Sequence, residues 1–141
     1  MAAQTDAQFR VTKTEAEWKR ILTPAQFAVL RQDNTERPYS SPLNSEHRQG
    51  LFSCAGCNWP LYSSKDKFES GTGWPSFTRP INAQAVGTTI DRSLLMTRTA
   101  VHCANCGGHL GHVFDDGPQP TGLRYCINSA SIDLEPKKPT K

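Results

Sequence analysis

Apolar residues along this chain follow two regimes. Between Lys13 and Arg31 they recur at helical spacing, whereas after Gly50 they come in short runs separated by Gly, Pro and Asn. Thr14-x-x-Glu17 has the form of a capping box and is followed by Trp18, Ile21 and Leu22, which predicts a short amphipathic helix over 15–22. A second start signal comes at once. Thr23 is a capping residue, Pro24 occupies the first helical position, Gln26 lies three past the cap, and Phe27 with Leu30 forms an apolar stripe, predicting a helix over 24–31. Pro, Ser, Asn and charged residues make 33–50 an irregular connector. Beyond it, strands are predicted over 50–54, 85–90, 94–101 and 123–134, and 136–141 is a polar tail.

The length of 141 residues suits one domain with one core, here taken as 1–141. Ten Gly and ten Pro with 36% hydrophobic and 21% charged residues describe a turn-rich globule and exclude a coiled coil. The longest apolar run is the four residues 27–30, against about 20 for a bilayer span, and MAAQTDAQFR has no apolar secretion signal. A cytoplasmic protein with no membrane partner is therefore expected. Sixteen basic and thirteen acidic residues leave a net charge of only +3, and the cations are scattered outside KKPTK, so nucleic acid is not an expected partner.

Cysteine changes the picture. Of five cysteines, four form the pairs Cys54/Cys57 and Cys103/Cys106, 45 residues apart, while Cys126 stands alone. Two Cys-x-x-Cys turns can converge four thiolates on one tetrahedral ion, with Gly107 freeing backbone amides to face the sulfurs. Zinc is the expected ion, iron its competitor, and a closed four-sulfur set leaves no open position, so the metal would be structural. The other reading makes one pair a redox dithiol and the other buried.

Around Cys126 the string LRYCINS, read as a strand, sends Arg124, Cys126 and Asn128 to one face. A neighbouring guanidinium favours the nucleophilic thiolate, although a lone cysteine packed as a small hydrophobe is equally common. In GHLGHVFDDG, His109, His112 and Asp116 suit proton handling, or are an ordinary polar loop; the glycines argue against a metal-binding helix. In SGTGWPSF, Gly71, Gly73 and Pro75 shape a turn around Trp74, whose indole is either a pocket wall or core.

Taken together, SPLN, CAGC, SGTGWPSF, CANCGGHLGHVFDDGP and GLRYCINSAS, in this order and at these intervals, closely resemble the methionine-R-sulfoxide reductase B family of peptide-methionine sulfoxide reductases. The match spans about 13–136. It implies a mainly β fold of two antiparallel sheets with short N-terminal helices and a structural four-cysteine zinc site at Cys54, Cys57, Cys103 and Cys106. It further implies Cys126 as catalytic nucleophile, Trp74 as the wall receiving the substrate methyl, and His109, His112 and Asn128 as residues that bind and polarise the sulfoxide oxygen. Asp116 and Arg124 resemble the charged residues that support substrate binding.

The implied reaction is attack of the Cys126 thiolate on the sulfoxide sulfur of oxidised proteins, leaving a sulfenic acid that thioredoxin or other thiols reduce. Family members that recycle through an internal disulfide often carry a resolving cysteine where this chain has Thr72. With the other four cysteines committed to zinc, direct reduction of the sulfenic acid by an external thiol is expected of a monomer. A different class of function remains open on the residues: a zinc-clamped β domain also serves as a binding scaffold. The fifth cysteine within Arg124-x-Cys126-x-Asn128 distinguishes the two, since a scaffold does not need it.

Overall fold

The computed structural model describes residues 9, 11–32, 34–37, 49–92 and 97–136. The SPLN motif at 41–44, most of the connector, residues 94–96 of one predicted strand, and the tail beyond 136 lie outside them. Both helices begin where the capping boxes put them. In α1 (Glu15–Ile21) the Glu17 amide donates to Thr14 Oγ1 at 3.1 Å and Glu17 Oε1 accepts from the Thr14 amide at 2.8 Å. In α2 (Pro24–Gln32) Thr23 and Gln26 repeat the exchange at 3.1 and 2.9 Å. Each box satisfies two amides that the helix itself leaves without partners. Trp18, Leu22, Phe27 and Leu30 enter the core, but Ile21 remains 55% exposed: the helix ends there, and Leu22, the C-cap in extended conformation, is the residue that turns inward.

The remainder is antiparallel sheet. A three-stranded sheet has the order β2 (Pro60–Ser63), β1 (Gly50–Cys54), β9 (Ile132–Pro136). A six-stranded sheet has the order β3 (Lys67–Phe68), β4 (Ser76–Phe77), β8 (Arg124–Ile127), β7 (His109–Phe114), β6 (Arg98–Cys103), β5 (Val86–Asp91). An aromatic stack joins the two: Phe77 of β4 lies 4.5 Å from Tyr62 of β2, stacked, and 5.1 Å from Phe52 of β1, edge-on. All three are fully buried, each contributing about 1.5–3 kcal/mol of apolar burial. Phe52, Leu61, Val101, Leu110 and Ile127 continue this core beneath α1 and α2.

The single strand predicted over 123–134 is corrected to two. After Ile127 the chain makes a 3-10 turn, Ser129–Ser131, and crosses from the large sheet to the small one. The apolar alternation of Leu123, Tyr125 and Ile127 resumes out of phase at Ile132 and Leu134, across the small and polar residues 128–131. The turn is held from outside the segment, with Ser131 Oγ donating to the His109 carbonyl at 2.9 Å and the Ser129 and Ala130 amides donating to Glu36.

Two irregularities in β7 fix where its histidines stand and how closely β8 approaches. Val101 pairs with Gly111 but His102 pairs with His109, so Leu110 is an extra residue and the two-residue alternation slips by one. Histidines three apart thereby become neighbours, their rings edge-to-face at 5.5 Å. Opposite β8, a Cβ on Gly111 would collide with the Cys126 carbonyl, so this close strand approach requires glycine. Gly111→Ala should therefore cost about 2–4 kcal/mol, measured by denaturant unfolding, and should also disturb the Cys126 environment. Native stability would show that the strands separate freely here.

Candidate active site and metal centre

β7 and β8 pair so that His112 lies directly opposite Cys126, and on the other side of β8 Ser76 of β4 also pairs with Cys126. Above them opens a cavity of about 80 Å³ lined by Trp74, Arg98, His112, Phe114, Cys126 and Asn128, with Gly111 beneath. Four of the residues singled out in the sequence thus meet. His109 does not line this cavity; it is 8% exposed and abuts the His112 ring. Asp116 and Arg124 also stand back from it. They pair through two hydrogen bonds of 2.8 and 3.1 Å, and the guanidinium covers the Phe114 ring at 4.4 Å, so they brace an apolar wall from behind.

Three charged residues not predicted from sequence organise the polar side. Asp91 Oδ2 lies 2.9 Å from His112 Nε2 and accepts from Arg98 at 3.3 Å, so carboxylate, imidazole and guanidinium form one cluster across β5, β6 and β7. Glu36 is the third. Its carboxylate accepts from the amides of Ser129 (2.8 Å) and Ala130 (2.9 Å), its own amide donates to Asn128 Oδ1 (2.9 Å), and its carbonyl accepts from the Trp74 indole N–H (3.0 Å). Asn128 Nδ2 also donates to the Leu110 carbonyl at 3.0 Å, so the carboxamide is held rigidly, with its second N–H left over for a ligand.

The expected bias of Cys126 toward thiolate is opposed by its surroundings. Burial pushes its thiol above the ordinary value, while hydrogen bonds from Thr72 and Arg124 and the Arg124 charge pull the other way without prevailing. Asp116 is held below the usual carboxylate range by its bonds from Arg124, which keeps the guanidinium paired at neutral pH.

The second centre is the four-cysteine cluster. The sulfurs of Cys54, Cys57, Cys103 and Cys106 lie within 4.8 Å of one another, with Cys54–Cys106 at 3.8 Å and Cys57–Cys103 at 3.6 Å. A tetrahedral ion with metal–sulfur bonds of about 2.3 Å spaces its ligands about 3.8 Å apart, so the donor set fits. Amides support the sulfurs: Gly56 N–H donates to Cys54 (3.3 Å), Asn105 N–H to Cys103 (3.4 Å) and Asn105 Nδ2 to Cys57 (3.3 Å). Gly107, expected to free such amides, instead turns at φ 79° and donates to the Cys103 carbonyl, closing the knuckle. The cluster can hold one metal ion and shares no residue with the cavity.

Residues 22–136 match the SelR domain. The chain is 56% identical over 128 residues to the peptide methionine sulfoxide reductase MsrB of Bradyrhizobium diazoefficiens, an alignment covering 91% of this chain and 92% of that protein. It is 48% identical over 138 residues to MsrB of Methylibium petroleiphilum (98% and 100% covered) and 52% identical over 135 residues to MsrB of Methanosarcina barkeri (96% and 95%).

The sulfur geometry generates one prediction. Elemental analysis of the purified protein should find one metal ion per chain, and its chelation or Cys103→Ser should lower the melting temperature by at least about 10 °C, the effect of roughly 3–4 kcal/mol in a chain of this size. A protein that holds no stoichiometric metal and melts at the same temperature with and without chelator would refute the centre.

Proposed function

The chain belongs to the SelR-domain family, aligned over nine-tenths of its length with peptide methionine sulfoxide reductases MsrB, and on that premise we propose that it reduces the R epimer of methionine sulfoxide in oxidised proteins, with Cys126 as nucleophile. The observation that carries this reading is the meeting of Cys126, His112, Trp74 and Asn128 around one cavity. A scaffold with no chemistry to perform has no use for an unligated thiol facing an imidazole across two strands.

In the proposed reaction the substrate methyl rests against the indole of Trp74 and the ring of Phe114, turning the sulfoxide sulfur toward Cys126. The remaining N–H of Asn128 and the imidazole of His112 face the oxygen, with His109 supporting His112 from behind. The thiolate attacks the sulfur, forming a sulfur–sulfur bond as the oxygen takes up a proton; the hydroxyl then passes from the substrate sulfur to the Cys126 sulfur, and the sulfur–sulfur bond breaks with its electron pair staying on methionine, leaving Cys126 as sulfenic acid. Methionine leaves reduced by two electrons and Cys126 is oxidised by two. His112, oriented by Asp91, holds the proton that the oxygen takes up. Asp116 and Arg124 keep the Phe114 wall in place.

Two external thiols then reduce the sulfenic acid to thiol and water, becoming a disulfide; thioredoxin or another small dithiol fits this role. The fifth cysteine has no free partner once the other four bind metal, and Thr72 occupies the position of a possible resolving thiol. We assign zinc to the cluster, as a structural ion supplying no step of the reaction. Unligated Cys126 suits a reducing, cytoplasmic setting, the chain acting as a single-domain monomer. None of the helices is long and apolar enough to cross a membrane among the described residues.

Two experiments test the reading. With resolved sulfoxide epimers and dithiothreitol, turnover should be confined to the R epimer and abolished in Cys126→Ser; without reductant, one methionine should be released per chain and mass spectrometry should find one trappable oxygen on Cys126. Activity in Cys126→Ser, or a rapid internal disulfide with metal retained, would overturn it. Asp91→Asn, which keeps a hydrogen bond to His112 but removes the charge, should lower kcat by about one to two orders of magnitude with little change in KM. An unchanged kcat would remove Asp91 from proton handling.

A further inference from the structure

The outer strands of the two sheets are not alike. β3 is two residues long, β2 is four and opens on Pro60, and β9 carries Asp133, Glu135 and Pro136. Short length, proline and charged side chains are the usual means by which an edge is kept from pairing with a foreign chain. β5 has none of them before its last residue. It runs six residues, Val-Gly-Thr-Thr-Ile-Asp, four of them β-branched, and pairs with β6 residue for residue without a bulge. Thr88, Thr89 and Ile90 are exposed in succession, Ile90 to 55%, so both faces of the strand are open there. Beyond β5 the large sheet ends.

The register ties this edge to the cavity. Thr89 pairs with Ala100, Ala100 with His112 and His112 with Cys126, so the four form one row across the sheet and send their side chains to the same face. Asp91, two residues past Thr89, lies on that face as well and is the carboxylate bound to His112. Three strand spacings of about 4.8 Å put Thr89 about 14 Å from Cys126, and a further strand laid beside β5 would run about 19 Å from it. Ala100 alone stands in the row between Thr89 and the imidazole, and its methyl leaves room for a chain to cross. An extended chain covers that distance in about six residues.

We propose that the outer side of β5 is a docking edge for the substrate polypeptide, which adds to the large sheet as a further strand and passes its methionine sulfoxide across Ala100 to Cys126, about six residues along the chain from the paired segment. This rests on the reading of the cavity as a methionine sulfoxide reductase site. An unpaired strand offers alternating N–H and C=O groups, and the group that matches them is another main chain, whatever side chains it carries. Recognition of that kind selects an extended, unfolded segment and reads little of its sequence. A second copy of this chain is the competing occupant, and the area argues against it. Six residues span about 20 Å and a sheet is about 10 Å thick, so the edge offers about 200 Å² per partner, against about 800 Å² in a stable interface. A contact of that size holds a chain briefly and releases it, as turnover requires.

The probes are a labelled peptide with Thr-Val-Thr-Val about six residues before or after a methionine sulfoxide, the same peptide N-methylated through that segment, and N-acetylmethionine sulfoxide amide. With the metal-loaded full chain, KM for the unmethylated peptide should lie about tenfold below the other two, and the advantage should vanish when the spacing is cut to about two residues. Successive amides of a strand point to opposite sides, so one of Thr88→Pro and Thr89→Pro removes an outward N–H and spares the β5–β6 ladder; in that variant the KM values should converge. Equal KM values in the parent, or an advantage that survives either the proline or the shortened spacing, would overturn the docking edge; if neither proline variant folds, the N-methylated peptide and the spacing decide. Fluorescence anisotropy of the two labelled peptides on Cys126→Ser reads docking without turnover. Tighter binding of the unmethylated peptide there, with a parent that reduces no methionine sulfoxide, would leave the edge standing and sink the functional reading instead. A parent that sediments as a dimer and becomes monomeric in the proline variant would give the edge to a second copy and overturn the proposal.

Discussion

Glu36 holds the cavity together. A single residue, lying between the helices and the first strand, receives two amides on its carboxylate, one indole N–H on its carbonyl, and gives its own amide to Asn128. Bonds from amides to a carboxylate are charge-assisted and contribute about 1.5–3 kcal/mol each. They fall on the turn where the chain leaves the large sheet for the small one, so the crossing, the rotamer of Asn128 and the placement of Trp74 depend on the same anchor. Without it the indole and the carboxamide would each be held from one side only.

The four-cysteine cluster acts at a different level. Its four sulfurs come from the two Cys-x-x-Cys turns, one at the end of β1 and the other at the end of β6, so an ion held there would tie the small sheet to the large sheet at positions far apart in sequence. Arg31 of α2 donates to the Cys106 carbonyl at 3.0 Å while covering Trp18 at 4.5 Å, so the helical layer is fastened to the same knuckle. The aromatic stack of Phe52, Tyr62 and Phe77 joins the sheets a second time. The frame is thereby fixed at two points, and the cavity residues can be spent on placement rather than on stability.

What was legible in the sequence was what local chemistry specifies. Both capping boxes, both helices and the paired cysteines are encoded within a few residues of themselves and appear where they were expected. β3 and β4 are two residues long and exist because of their neighbours, so no periodicity announces them. The bulge at Leu110, which brings His109 beside His112, belongs to the register of two strands rather than to either. Asp91 and Glu36 reach partners 21 and about 92 residues away, and nothing in their own surroundings in the chain marks them. The turn at 128–131 is marked locally by the change of phase between Ile127 and Ile132, but the carboxylate that holds it lies outside the segment.

The reading of Arg124 shows how burial changes a correct local inference. A guanidinium two residues from a thiol does favour the thiolate, and its influence on Cys126 is present; the desolvation of the sulfur outweighs it. That balance has a chemical sense for a nucleophile of the proposed kind. A thiolate made abundant by a strongly lowered pKa is a weaker nucleophile per molecule and is exposed to any oxidant. A sulfur whose thiol form is favoured by burial retains high nucleophilicity in the fraction that ionises. In such a site it is arrangement that selects the reaction. In the proposed reaction Trp74 and Phe114 are the groups that receive the substrate and His112 with Asp91 the pair that carries the proton, and the β7–β8 pairing keeps the imidazole and the sulfur facing each other.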